Sequence, residues 1–140
     1  FIISITADSV EKTLRSKALI GRIEDDKISC IKSKWEENKI VGKSKNFGDF
    51  RIVIDTVKPE IKYYSKTKEM IKFKIQDKLS GIKKYRGTIN EKWVLMEYDF
   101  KTNLLTYQLD TTKNEKNQVI KIEVIDQVDN KNEINFDLSK

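Results

Sequence analysis

MIKFKIQDKLSGIKKYRGTINEKWVLMEYDFKTNLLTYQL, from Met70 to Leu109, is the stretch whose reading decides the fold. Apolar and polar residues alternate through it, and in an extended strand successive side chains point to opposite faces. Ile71, Phe73 and Ile75 therefore share the inward face of one strand, Glu69 to Gln76. Asp77-Lys78-Leu79-Ser80-Gly81 then breaks the alternation with turn formers, because glycine supplies a positive φ and Asp and Ser hydrogen-bond their own backbone. Ile82 to Ile89 is the next strand, Asn90-Glu91-Lys92 a turn, and Trp93 to Asp99 a further strand. Phe100 to Asn103 turns the chain into Leu104 to Leu109, where Leu105, Tyr107 and Leu109 alternate.

Outward from this stretch the pattern continues. Glu60 to Tyr64 reads as a strand before it. After it come a longer polar loop from Asp110 to Asn117 and a strand, Val119 to Ile125, with Ile120, Ile122 and Val124 inward. A turn from Asp126 to Lys131 leads into Glu133 to Leu138, with Ile134, Phe136 and Leu138 inward. Seven strands with turn signals roughly every eight to twelve residues predict an immunoglobulin-like or fibronectin-III-like sandwich over residues 57–140.

Upstream, Asp55-Thr56-Val57-Lys58-Pro59 holds the chain's single proline. Proline lacks the ladder donor and extends its predecessor, so a lone proline after a finished strand marks a connector or the first residue of a new strand, and the domain boundary is expected here. Residues 1–56 read as a partial sandwich of about five strands. Phe1 to Asp8 is the first, and Ser9 to Arg15 is a loop or single helical turn. Lys17 to Glu24 and Lys27 to Lys32 form a hairpin about Asp25-Asp26, and a second hairpin turns near Glu37-Asn38. Phe47 to Ile54 closes the unit with Phe50, Ile52 and Ile54 on one face. The expectation is an all-β chain of two tandem sandwiches, the first incomplete. Its unpaired strand edges favour a homo-oligomer. The first residue, Phe1, suggests a processed fragment.

Composition limits the chemistry. Hydrophobic residues are 38% and charged residues 36%, without low-complexity tracts, which fits a globular chain. The net charge of +6 is spread, with eleven basic against nine acidic residues up to Thr56 and seventeen against thirteen beyond it. Lysine outnumbers arginine 24 to 4, and no basic stripe or recognition motif is visible, so nucleic acid is not an expected partner. No apolar run is long enough for a membrane helix. Cys30 is the only cysteine and histidine is absent. That removes an internal disulfide, the Ser/His/Asp and Cys/His nucleophiles and any His-bearing zinc site. Gly42-Lys43-Ser44 imitates the end of a phosphate loop but has Glu37 where the first glycine belongs. The neighbouring pairs Asp25 with Asp26 and Glu36 with Glu37 lie in tight turns, unlike the facing carboxylates of a glycosidase.

Two groups remain as candidate sites. In a sandwich of this kind the loops carrying Asp77, Asp126, Asp129 and Asn130 gather at the end where the chain enters, beside Asp55 in the linker. Clustered oxygen ligands there would suit Ca²⁺, which takes about six to eight of them; Asp in such loops also serves as a local turn former. The aromatic residues Trp35, Trp93 and Tyr98, with Tyr85, Phe100 and Tyr107 nearby in sequence, suggest a platform on which a sugar ring could stack. Core packing is the alternative for these rings.

The run from Phe73 to Tyr107, above all Gly87 to Tyr98 with Trp93-Val94-Leu95-Met96-Glu97-Tyr98-Asp99, resembles the C-terminal β-sandwich region of Bacteroidetes cell-envelope metallopeptidases of the lysostaphin type. The similarity extends to Lys17–Ile23, Lys34-Trp35-Glu36, Asn46-Phe47-Gly48 and Asp55–Pro59. It implies a parent whose separate N-terminal domain binds Zn²⁺ through His and Asp and cuts peptide cross-bridges. None of those ligands carries over to a chain without histidine. The resemblance thus implies a non-catalytic tail in the cell envelope, periplasmic or surface-exposed. Its partners would be its own peptidase domain, other envelope proteins or peptidoglycan, and glycan binding by aromatics is the alternative function.

Overall fold

A computed structural model describes residues 1–110 and 118–139, and it is built of antiparallel strands. The longer loop expected from Asp110 to Asn117 falls, apart from Asp110, outside the described residues. In the first part, β1 (Ile2–Thr6) leads through a short 3₁₀ segment (Lys12–Lys17) to β2 (Ala18–Glu24). Next come β3 (Lys27–Ile31), β4 (Ser33–Glu36), β5 (Lys39–Lys43) and β6 (Asp49–Ile54). They form two three-stranded sheets, ordered β1-β5-β4 and β3-β2-β6. Between the sheets lie Ala18, Ile20 and Ile40, with Ile3, Ile5, Trp35, Phe50, Ile52 and Ile54 packed against them. Six strands are present where about five were expected. At Lys32 the chain leaves one sheet and enters the other. Ser33 ties the crossing down, its Oγ accepting from the Ile20 amide at 2.9 Å and donating to the Ile31 carbonyl at 2.8 Å.

The second part contains eight strands rather than seven. They are β7 (Glu60–Lys66), β8 (Met70–Gln76), β9 (Ile82–Ile89), β10 (Lys92–Val94), β11 (Glu97–Asp99), β12 (Leu104–Gln108), β13 (Val119–Asp126) and β14 (Lys131–Asp137). Two four-stranded sheets result, β11-β12-β8-β7 and β10-β9-β13-β14. The expected single strand Trp93 to Asp99 is divided: its first part pairs with β9, its last with β12, and Leu95-Met96 carries the chain between sheets. Met96 fills the space this leaves. A Cβ on Gly87 would collide with its Sδ, so any larger residue there requires Met96 to shift.

The core of this sandwich is the predicted alternating set. Ile71, Phe73, Ile75, Leu105, Ile120, Ile122 and Val124 are all fully buried, and Ile134 and Phe136 pack against them. Burying each such side chain contributes about 1.5–3 kcal/mol. Tyr63 stacks on Phe136 at 5.1 Å and meets Phe73 edge-on, closing one side. Near the other end the β9–β13 register slips, with Ile125 opposite Lys84 but Asp126 opposite Ile82. The extra residue, Lys83, leaves Ile82 packed against the core and places its ammonium on Asp129.

Candidate functional site

The linker after β6, the loop after β8 and the end of β13 meet at one pole of the second sandwich. Asp55, Asp77 and Asp126 each bring a carboxylate oxygen there, and these oxygens lie within 4.8 Å of one another. Each position follows from local turn chemistry. Asp77 Oδ1 accepts from the amides of Leu79 at 3.2 Å and of Ser80 and Gly81 at 3.0 Å, wrapping the Asp77–Gly81 turn around itself. Gly81 supplies the positive φ of 88° that the turn needs. Asp126 Oδ1 does the same for Val128 at 3.0 Å and Asn130 at 2.9 Å. Asp55 Oδ1 accepts from Val57, while its Oδ2 reaches across to the Ser80 amide at 3.2 Å.

Asn130 joins these turns. Its side-chain amide donates to Asp126 Oδ2 and to the Asp55 carbonyl, both at 2.8 Å, with a longer contact to the Val57 carbonyl at 3.4 Å. Further bonds lie at the same junction, and the first of them crosses it. Lys17 Nζ donates to the Val128 carbonyl at 2.8 Å, the Asp55 amide to the Lys17 carbonyl at 2.9 Å, and Asn132 Nδ2 to the Pro59 carbonyl at 2.9 Å. The residues before and after the linker are therefore cross-linked by side chains as well as by the chain.

Electrostatics set one carboxyl apart. Asp77 has its pKa raised, first by burial and then by the charges of Asp55 and Asp126, against the lowering pull of the Gly81 and Leu79 amides. Asp55 and Asp126 are buried, at 1% and 0% exposure. Cys30, half-buried on β3, has its thiol pKa raised by burial and then by Asp55 and Asp77. It lines a cleft of about 710 Å³ with Lys32, Ser33, Ser80, Lys83 and Gln127 on the flank of the junction.

Of the five residues expected to ligate calcium, three bring carboxyl oxygens together, Asn130 meets them with its donor, and Asp129 turns away. Asp129 sits at a positive φ of 63°, which turns its side chain out of the cluster to pair with Lys83 at 2.9 Å. That pairing holds its pKa below the usual carboxylate value. Asn130 presents its donating NH₂ to the cluster, the opposite of a ligand. For the three that converge, oxygens up to 4.8 Å apart match the span of a Ca²⁺ shell whose metal–oxygen distances are about 2.3–2.6 Å. Amide donors already reach Asp55 and Asp126 through both oxygens and Asp77 through Oδ1, so the turns close on hydrogen bonds alone.

The three aromatic candidates also separate. Trp35 is half-buried in the first core, its Nε1 donating to the Arg15 carbonyl at 2.6 Å and its face covered by the Arg15 guanidinium at 4.9 Å. Tyr98 is half-buried, tilted against Tyr85 at 5.7 Å, and its hydroxyl pKa is raised by burial and by Asp99. Trp93 alone offers an open ring, 63% exposed on the outer face of β10. The sequence reading missed Ser80, Lys17 and Asn132 at the junction. Ser80 was legible as a turn former, whereas the partners of Lys17 and Asn132 are backbone carbonyls, which no residue pattern announces. Comparison with protein-family models, curated proteins and solved structures finds no match.

Proposed function

We propose that this chain is a non-catalytic structural and interaction module whose work is positional: two sandwich units held at a fixed angle so that what they join is presented in one geometry. The observation that carries this reading is the junction. Asn130 and Ser80 bond across it to Asp55, and Lys17 to Val128, through directional, partly buried hydrogen bonds, which water contests less than it does fully exposed ones. The absence of histidine from the sequence supports the non-catalytic part. The sequence resemblance is the ground for proposing a cell-envelope metallopeptidase as parent, with its peptidase domain or other envelope components as partners.

We extend the reading to Ca²⁺ as a further clamp on Asp55, Asp77 and Asp126. Their convergence and the raised proton affinity of Asp77 support it. Incubating the purified chain with peptidoglycan tests the non-catalytic reading: no soluble fragment is expected, and time-dependent release in proportion to the chain would overturn it.

A further inference from the structure

We infer that the outer face of the β10-β9-β13-β14 sheet binds an acidic glycan, a uronate-bearing oligosaccharide, with Trp93 as the stacking surface and Arg86 as the carboxylate ligand. This goes beyond the positional role, since it gives the module a ligand of its own. Val94 packs on the core, so its neighbour Trp93 projects outward. Trp93 pairs with Thr88, which lies two residues from Arg86 on the same outer face of β9. Trp93, Lys84, Arg86 and Glu123 line one shallow depression of about 270 Å³.

The charges on this face decide which ligand fits. Arg86 lies directly opposite Glu123 in register, yet among the described residues neither Arg86 nor Lys84 has an ion-pair partner. Glu123 is engaged elsewhere, by Lys121 at 3.0 Å and Lys131 at 3.6 Å, and Glu133 is held by the same two lysines. The depression therefore presents two uncommitted cations beside an open aromatic face. A guanidinium matches a carboxylate through two parallel hydrogen bonds, and the flat indole suits the apolar face of a sugar ring. Glu123 and Glu133 argue against nucleic acid, because they would repel a backbone charged at every unit, while they can accept hydrogen bonds from sugar hydroxyls.

Calorimetric titration of the whole chain with tetragalacturonate, with neutral chitotetraose and with oligo-dT tests the inference. Three variants accompany it: Trp93→Ala, Arg86→Gln, and Lys62→Gln on the opposite sheet as control. All three positions are exposed, and unchanged melting temperatures check that the fold is kept. The galacturonate is expected to bind, with chitotetraose at least about tenfold weaker. Trp93→Ala and Arg86→Gln should each weaken galacturonate binding about tenfold or more, and Lys62→Gln should leave it unchanged. No galacturonate binding at millimolar concentration, equal binding by the Trp93 and Arg86 variants, or tighter binding of oligo-dT would each overturn the inference.

Discussion

Replacing Asn130 by alanine removes the side chain on which the junction turns. Its amide makes one bond to an ionised acceptor, Asp126 Oδ2, and one to a neutral acceptor, the Asp55 carbonyl, both at 2.8 Å. A hydrogen bond to a charged group is worth about 1.5–3 kcal/mol and a neutral one about 0.5–1.5 kcal/mol. The expected loss is therefore about 2–4 kcal/mol, since Asp126 is buried and water cannot freely replace the lost donor. With a urea dependence of about 2 kcal/mol/M, the middle of the usual range for a small protein, the midpoint should fall by about 1–2 M. Urea titration followed by far-UV circular dichroism measures this, and hydrogen exchange at Val57, Ser80 and Val128 shows whether the loss is local to the junction. Asn130→Asp sharpens the test, because it substitutes an acceptor and a fourth negative charge for the donor. It should cost more than alanine. A midpoint for Asn130→Ala within experimental error of the parent, with unchanged exchange at those amides, would refute the reasoning.

Three other outcomes follow from the same geometry. Asp77 has a raised pKa, so the folded state binds its proton more tightly than the unfolded chain does. Its stabilising contribution is then complete below the ordinary value of 3.8 and is lost as pH rises through the raised value. Asp77→Asn keeps an acceptor for the turn amides and lacks this dependence, so its stability relative to the parent should climb across that window; parallel stability–pH curves would contradict the assignment. If Asp55, Asp77 and Asp126 hold Ca²⁺, the melting temperature in Ca²⁺ should exceed that in EDTA by an amount worth about 2.7 kcal/mol at a hundredfold excess over Kd. Asp77→Asn should reduce the gain, and identical melts in both conditions would leave the three as turn formers. Gly87→Ala should cost about 1–3 kcal/mol by overpacking against Met96, and a urea midpoint equal to the parent's would show that Met96 moves aside without cost.

The inward faces of the strands were legible because a period of two reports which side meets the core, as Ile71, Phe73 and Ile75 illustrate. The same period does not report which sheet supplies the partner. Val94, Met96 and Tyr98 all pack inward while the chain passes from one sheet to the facing one, so the alternation runs unbroken through the crossing. No Gly or Pro marks it, nor the crossing at Lys32. At the junction, Asp55, Asp77 and Asp126 were foreseeable from the pole at which their loops gather. The exit of Asp129 depends on its left-handed backbone and on the extra residue in β9 that brings Lys83 into reach. The open ring of Trp93 and the covered ring of Trp35 carry the same letter, and only tertiary contacts, with the first core and with Arg15, separate them.

The proposal of a fixed junction is tested most directly by a distance distribution across it. Spin labels at Lys39→Cys and Lys101→Cys, both exposed and on opposite sides of the linker, in a Cys30→Ser background, would be measured by pulsed electron paramagnetic resonance. One narrow distance population is expected, broadening in Asn130→Ala. A broad distribution in the parent chain, no narrower than in the Asn130 variant, would contradict a junction held by these hydrogen bonds.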